Sequence, residues 1–201
     1  MSWRSHRPAD VPLFDWGDAL RRARIARRQL RRRAAAIALG TALLGVTIVA
    51  PPAPRFVWNA SASAPIGLYR VMLGAAVERG DMVVAWVPKP FRRLAAARRY
   101  LPENVPLVKR VAAVAGDEVC ARGKFISVGG RMVAVRRTSD GRGRIMPQWT
   151  GCRILRAEEL LLLIDGSPDS FDGRYFGVTG RDDIIGKARL IWTRPKDASD
   201  A

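Results

Sequence analysis

Apolar and polar positions divide the chain into two regimes. Residues 34–50 (A-A-A-I-A-L-G-T-A-L-L-G-V-T-I-V-A) run for seventeen positions without a charge. As a helix this run spans about 25 Å, slightly less than a ~30 Å hydrocarbon core and within the reach of flanking arginines that snorkel. Beyond it the apolar runs are short, rich in Val, Ile and Leu, and broken by Gly, Pro and Asp. Residues 68–73, 82–87, 107–115, 160–164 and 184–192 read as strands. Residues 125–128 and 132–135 flank Gly129-Gly130, a hairpin signal, and the basic, Ala-containing stretch 91–100 reads as a short helix. The pattern predicts a mostly-β domain hung from one helix.

Charge gives the helix a context. The chain has 201 residues, 35 basic and 18 acidic, for a net +17. Such a balance implies an anionic partner, nucleic acid or a phospholipid surface. Ten arginines and three aspartates lie in residues 1–33, and eight of those arginines fall between Arg21 and Arg33, directly before the apolar run. No aromatic platform is interleaved with them, so they read as the solvated flank of an anchor and not as a nucleic-acid surface. After the run, only Arg55 and Arg70 are basic in the next twenty residues. The positive-inside rule then puts the N-terminus in the cytoplasm and the rest outside. A cleaved signal peptide has a shorter basic region, and Pro51-Pro52 after Ala50 makes a poor cleavage junction. The predicted organisation is a basic cytoplasmic segment (1–33), a transmembrane signal anchor (34–50), a spacer carrying the interfacial aromatics Phe56 and Trp58 (51–58), an outer domain (59–194) and a tail (195–201). The positive charge spread over the outer domain suits a place against anionic lipid. Cys120 and Cys152 both fall on the outer side, where an oxidising compartment favours a disulfide and a reducing one leaves two buried thiols. Neither their number nor their spacing supports a metal site.

Candidate chemistry comes largely by elimination. The one histidine, His6, lies in the segment assigned to the cytoplasm, so an outer-domain Ser-His-Asp triad or a His-based zinc site is excluded by that topology. No phosphate-binding G-x-x-x-x-G-K-[ST] or G-x-G-x-x-G motif occurs. An enzyme built on this domain needs a carboxylate or a lysine as its base. In L-V-K-R-V, strand alternation puts Lys109 on the face of Leu107, Val111 and Ala113, with Val108, Arg110 and Ala112 opposite. Desolvation on an apolar face lowers the pKa of an amine towards neutrality; the plain alternative is a lysine snorkelling at a sheet edge. In the loop D-S-F-D-G-R, alternation puts Ser170, Asp172 and Arg174 on one side, able to orient an amine or simply to form a well-bonded turn. Finally, N-A-S-A-S-A-P-I-G-L-Y (59–69) is either a tether or the site of a nucleophile, since it carries two serines at i, i+2.

Taken together and in this order after one anchor, S-A-S-A-P-I-G-L-Y, V-K-R-V-A-A-V-A-G-D and D-S-F-D-G-R-Y-F-G resemble the type I signal peptidases, Ser–Lys proteases of the outer membrane face. The Ser-x-Pro-x-Gly-Leu-Tyr form is similar to the conjugative-transfer branch, the TraF-like peptidases that mature pilin subunits. The Met that follows the nucleophile in general secretory signal peptidases is Ala64 here, and the frequent D-S-R is D-G-R. The resemblance covers about residues 56–192 and implies a signal-peptidase-like β domain. It implies Ser63 as nucleophile, Lys109 as general base, Ser61 as an oxyanion-hole hydroxyl, Ser170 and Asp172 as groups orienting Lys109, and Arg174 as a brace of that loop. It calls for no cofactor and no metal. The partners it implies are a membrane-bound precursor, pilin or secretory preprotein, and the lipid bilayer, with no nucleic acid. The implied location is the bacterial inner membrane, with the catalytic domain periplasmic. Ser63 follows Ala50 by thirteen residues, at most ~45 Å of extended chain. Two other readings stand beside this one: a general signal peptidase of the secretory pathway, and a non-catalytic single-span β-domain scaffold of a secretion system.

Overall fold

A computed structural model of the chain describes residues 12–50 and 52–193. The tail 195–201, Pro51 and the first part of the basic segment, including His6, lie outside the described residues. Two units divide at Pro52/Ala53. The first contains helix α1, Pro12–Val49, 38 residues long. The arginine cluster and the apolar run are therefore one continuous helix, with no break at residues 33/34. Arg, Ala and Leu are all strong helix formers, and Pro12 suits a first helical position. Thr41 and Thr47 lie inside the apolar run, and their hydroxyls donate to the carbonyls of Ile37 (3.0 Å) and Leu44 (2.8 Å). That leaves no uncompensated polar hydrogen on either side chain. Among the described residues this is the one helix long and apolar enough to cross a membrane, and its side chains from Ile37 to Val49 are largely exposed.

The second unit is mostly β. Its strands are β1 (Phe56–Asn59), β2 (Gly67–Met72), β3 (Met82–Ala85), β4 (Leu107–Ala113), β5 (Glu118–Arg122), β6 (Phe125–Val128), β7 (Arg131–Val135), β8 (Gly151–Ile154), β9 (Leu160–Leu163), β10 (Val178–Thr179) and β11 (Ile184–Thr193). Helices α2 (Lys89–Ala97) and α3 (Gly173–Phe176) complete it. The large sheet has the order β1-β2-β11-β3-β4-β9-β10 and the small one β7-β6-β5-β8, with antiparallel pairing throughout. On one face of β3 and β4, Val83, Ala85, Leu107 and Val111 pack with Leu162, Phe176 and α2; on the other, Val84 and Val108 pack with Tyr69, Val71 and Ile164. A third cluster, of Val119, Ile126, Leu161 and Leu163, joins the small sheet to β9. β9 is thus buried on both faces, which its unbroken Leu run anticipates.

The expected strands are present with ends shifted by one or two residues. Strands β5 and β8, and also β1 and β10, go beyond that pattern. The first two are short (E-V-C-A-R, G-C-R-I) and too mixed in polarity to show a period. β1 occupies part of the expected spacer: Phe56–Asn59 pairs with β2 from Phe56↔Arg70 to Asn59↔Gly67. Cys120 and Cys152 face each other across β5 and β8 and are joined as a disulfide 32 residues apart in sequence. A loop of that length is worth about 3–4 kcal/mol in the chain-entropy account. With the sulfurs bonded to one another, neighbouring Glu118 has no thiolate with which to share a metal ion.

Candidate active site

Strand β4 lies inside the large sheet, between β3 and β9, so Lys109 is not an edge lysine. Its side chain is 5 % exposed, whereas its neighbour Arg110 points to solvent. The alternation expected for L-V-K-R-V holds through Val111; a register shift between Val111 and Ala113 then turns Ala113 into the third cluster. The Lys109 ammonium donates to Ser63 Oγ and to Ser170 Oγ, both at 2.8 Å. Burial pulls its pKa down to about 8. The Asp172 carboxylate partly opposes that shift, and the Arg174 guanidinium adds to it. An amine and a hydroxyl at this distance, with the amine close to half-deprotonated near pH 8, are arranged for proton transfer.

Ser63 stands in a turn between β1 and β2 that is built by residues on both sides. Asn59, at the end of β1, is 7 % exposed and directs its amide N–H2 at the carbonyls of Ser61 (2.9 Å), Ala64 (3.1 Å) and Pro65 (3.1 Å), while its Oδ1 accepts from the Ser61 N–H (3.2 Å). From β2 the buried Tyr69 hydroxyl donates to the Pro65 carbonyl at 2.9 Å. Gly67 is required by close approach: a Cβ there would lie 2.0 Å from the Trp192 carbonyl oxygen on β11. Ala64 fills a small space in the core, which leaves Ser63 half-buried and Ser61 exposed. Ser61 Oγ lies 3.0 Å from Ser63 Oγ and accepts from the Ser63 backbone N–H at 3.3 Å. The Ser61 hydroxyl and the Ser63 amide are therefore adjacent, and they bond each other. Asn59 was not singled out in the sequence. A lone Asn at the point where F-V-W-N meets a run of small residues is the available signal, because Asn bonds its own turn.

The third element is the loop between β9 and β10. Ser170 is 3 % exposed and accepts from Lys109. Asp172 and Arg174 do lie together, but not by extended alternation: Asp172 caps α3, accepting from the Arg174 N–H (3.1 Å), and Arg174 is inside the helix. Their side chains form a buried pair, with Arg174 Nε to Asp172 Oδ1 at 2.8 Å and Nη2 to Oδ2 at 3.1 Å. The pair also grips the end of β9, since Asp172 accepts from the Ile164 N–H (3.2 Å) and Arg174 donates to the Ile164 carbonyl (2.8 Å). Asp172 makes no hydrogen bond to Lys109 and acts on it through space, whereas Ser170 bonds the ammonium directly. The glycine of D-G-R also has a physical reason: a Cβ on Gly173 would come within 2.8 Å of the Leu162 carbonyl oxygen.

A cleft of about 720 Å³ opens over these groups, walled by Trp58, residues 60–63, Tyr100, Leu101, Val105, Leu107 and Phe171. Its lining is mostly apolar.

A family model described as "Signal peptidase, peptidase S26" matches residues 28–193. The plasmid transfer protein TraF of Escherichia coli is 33% identical over 145 residues, covering 67% of this chain and 81% of that protein. The conjugal transfer protein TraF of Agrobacterium fabrum strain C58 is 30% identical over 145 residues, with the same shares of 67% and 81%. Among solved structures, a signal peptidase I of Enterococcus faecalis V583 aligns at a TM-score of 0.34 and 16% identity, over 60% of this chain and 100% of that one. The family match spans most of the chain and includes all three elements of the site, and the chain belongs to the peptidase S26 family of signal peptidases.

Proposed function

We propose that this chain is a membrane-anchored serine endopeptidase that works through a Ser63–Lys109 dyad. Its substrate is an exported, membrane-bound precursor whose leader or propeptide it removes, and the reading we favour is maturation of a pilin subunit for conjugative plasmid transfer. The observation that carries it is the 2.8 Å contact between a buried, low-pKa Lys109 amine and Ser63 Oγ. The neutral amine takes the Ser63 proton as Oγ attacks the scissile carbonyl. The Ser63 N–H and the Ser61 hydroxyl, released from their mutual bond by rotation of the Ser61 side chain, hold the oxyanion. Lys109 then protonates the leaving amine, and water opens the acyl-enzyme. Ser170 keeps the amine in place, and the Asp172–Arg174 pair keeps Ser170 in place. The α1 anchor, with the arginine cluster cytoplasmic, puts the second unit in the periplasm beside membrane-held precursors. The pilin reading is supported by the TraF relatives and by Ala64-Pro65 in place of the secretory Met.

Co-expression with an epitope-tagged pilin precursor tests the chemistry: Ser63→Ala and Lys109→Ala should each abolish processing, and a mature product from either variant rejects the dyad. A panel of secretory preproteins beside the pilin precursor tests the substrate; cleavage of the panel with the pilin precursor left intact points to a general signal peptidase.

A further inference from the structure

Residues 136–149 have no part in the dyad, yet they hold the loop that cradles it. This arm leaves β7, crosses to the β9–β10 loop and returns into β8. Three contacts tie it there. Arg137 Nη1 pairs with Asp169 Oδ1 at 2.6 Å, the Arg137 N–H donates to Tyr175 Oη at 3.1 Å, and Trp149 Nε1–H donates to the Gly173 carbonyl at 2.9 Å. The first is an exposed pair, 52% and 72% accessible, and contributes little. The Trp149 bond reaches Gly173, the residue between Asp172 and Arg174. The indole also lies over Gly177 at the end of α3, where a Cβ would be 3.5 Å from Trp149 Cδ1.

Trp149 is itself held from two sides. Its carbonyl accepts from Arg136 Nη1 at 2.7 Å, and Arg136 Nε donates to the Gly123 carbonyl at 3.0 Å. Arg136 is 3 % exposed, forms no ion pair among the described residues, and has no hydrogen-bond partner for Nη2. A buried guanidinium used only on carbonyls is costly to keep, which argues that the place it fixes matters. Three residues past Trp149, the disulfide of Cys152 to Cys120 staples β8 to β5.

We propose that Trp149 is a positioning residue for the dyad: its indole N–H fixes α3 and the preceding loop so that Ser170 closes over Lys109, while Arg136 and the Cys120–Cys152 disulfide fix Trp149. The proposal rests on the Ser–Lys reading above and adds to it a control point in the small sheet. The charged groups facing Lys109 are Asp172 and Arg174, both in the segment Trp149 holds; the neighbouring strands present apolar residues, Val83 of β3 opposite Lys109 and Leu162 of β9 opposite Val111. Loosening the loop admits water to the ammonium, relieves its desolvation and moves its pKa up.

The test uses the full-length protein in detergent and compares wild type with Trp149→Phe, which keeps a ring but deletes the N–H, and with the double variant Cys120→Ser/Cys152→Ser. Three quantities are read: kcat and KM on a peptide spanning the precursor's cleavage site, the pH midpoint for acetylation of Lys109 by acetic anhydride followed by mass spectrometry, and Tm. For Trp149→Phe we expect kcat to fall about tenfold, the equivalent of one ordinary hydrogen bond. KM should be unchanged and the Lys109 midpoint should move to higher pH; the double cysteine variant should show a smaller shift in the same direction. A wild-type kcat and midpoint in Trp149→Phe overturn the proposal, as does a loss of activity that only follows the unfolded fraction. Ser63→Ala serves as the separate control. Retained cleavage there rejects the dyad, and the Lys109 midpoint, which needs no activity, then decides the role of Trp149.

Discussion

The turn that carries Ser63 and the pocket that carries Lys109 lie 2.8 Å apart at their functional atoms and are built on opposite principles. The backbone of the serine turn is held by neutral groups: the Asn59 amide and the Tyr69 hydroxyl bond its carbonyls, and the Lys109 ammonium reaches only the Ser63 side chain. Its tip is open, with Ser61 exposed and Ser63 half-buried. The lysine pocket is closed, and it places a buried ion pair behind the amine. In the roles proposed for them, Ser63 as nucleophile must be reached by substrate, so its scaffold is local and backbone-directed. A base that works near pH 8 must be kept dry, so its scaffold has to come from strands and loops remote in sequence. Access and desolvation are incompatible demands on one segment, and the fold separates them.

The largest expected effect comes from removing the base. Lys109→Met should abolish processing while making the protein more stable at pH 7, by about 1–3 kcal/mol, because a buried charge is replaced by an apolar chain of similar length. The sign is set by a folded pKa near 8 against an ordinary 10.5. Below about 8 the wild type bears the full cost of burying the ammonium, between 8 and 10.5 that cost is progressively relieved, and above 10.5 it is gone. Chemical denaturation across this range should show the gap between variant and wild type narrowing as pH rises, and a gap that is constant with pH contradicts the desolvated base. In the wild type the same ionisation predicts a rate that climbs with pH through a limb near 8; a limb near 6.5 would belong to a different base.

Asp172→Ala comes next. It leaves Arg174 buried without its partner, at a cost of about 3–5 kcal/mol in unfolding free energy. Urea denaturation measures this, and a loss below 1 kcal/mol would mean the pair is not the anchor of the pocket. Ser61→Ala touches the open side only. It should lower kcat by about 10²–10³-fold with Tm unchanged, the range of a lost oxyanion donor. A normal kcat would assign the oxyanion to backbone alone. The smallest effect is expected at Asn59→Ala, about 1–3 kcal/mol of stability from carbonyls left without a donor. Most of the loss of function there should appear in kcat, since the turn carrying the nucleophile loses its register. If Asn59→Ala costs as much stability as Asp172→Ala, the contrast between the two scaffolds disappears.

Several features were legible because they are local. The charge-free run after the arginines specifies a long exposed apolar helix through composition alone. The alternation of L-V-K-R-V places Lys109 among apolar neighbours before any partner is known. The order of the three motifs carries the family resemblance, which groups the S-A-S-A-P turn, the lysine strand and the Ser-Asp-Arg loop. The short strands β5 and β8 were not legible, because four or five residues of mixed polarity become strands only when neighbouring strands supply their hydrogen bonds. Nor was the cap at Asp172, where D-G-R starts a helix instead of running extended and Gly173 packs closely against β9.

What the sequence determined by itself is therefore the chemistry available: three serines in the motifs, one lysine on an apolar face, and no histidine beyond His6. What only tertiary structure decided is which of these atoms meet and in what dielectric. Lys109 reaches Ser63 from 46 residues away and Ser170 from 61 because β4 is central in the large sheet and the β9–β10 loop folds back over it. The pKa of the amine depends on the removal of water from all sides, a property of the packed sheet that no spacing along the chain encodes.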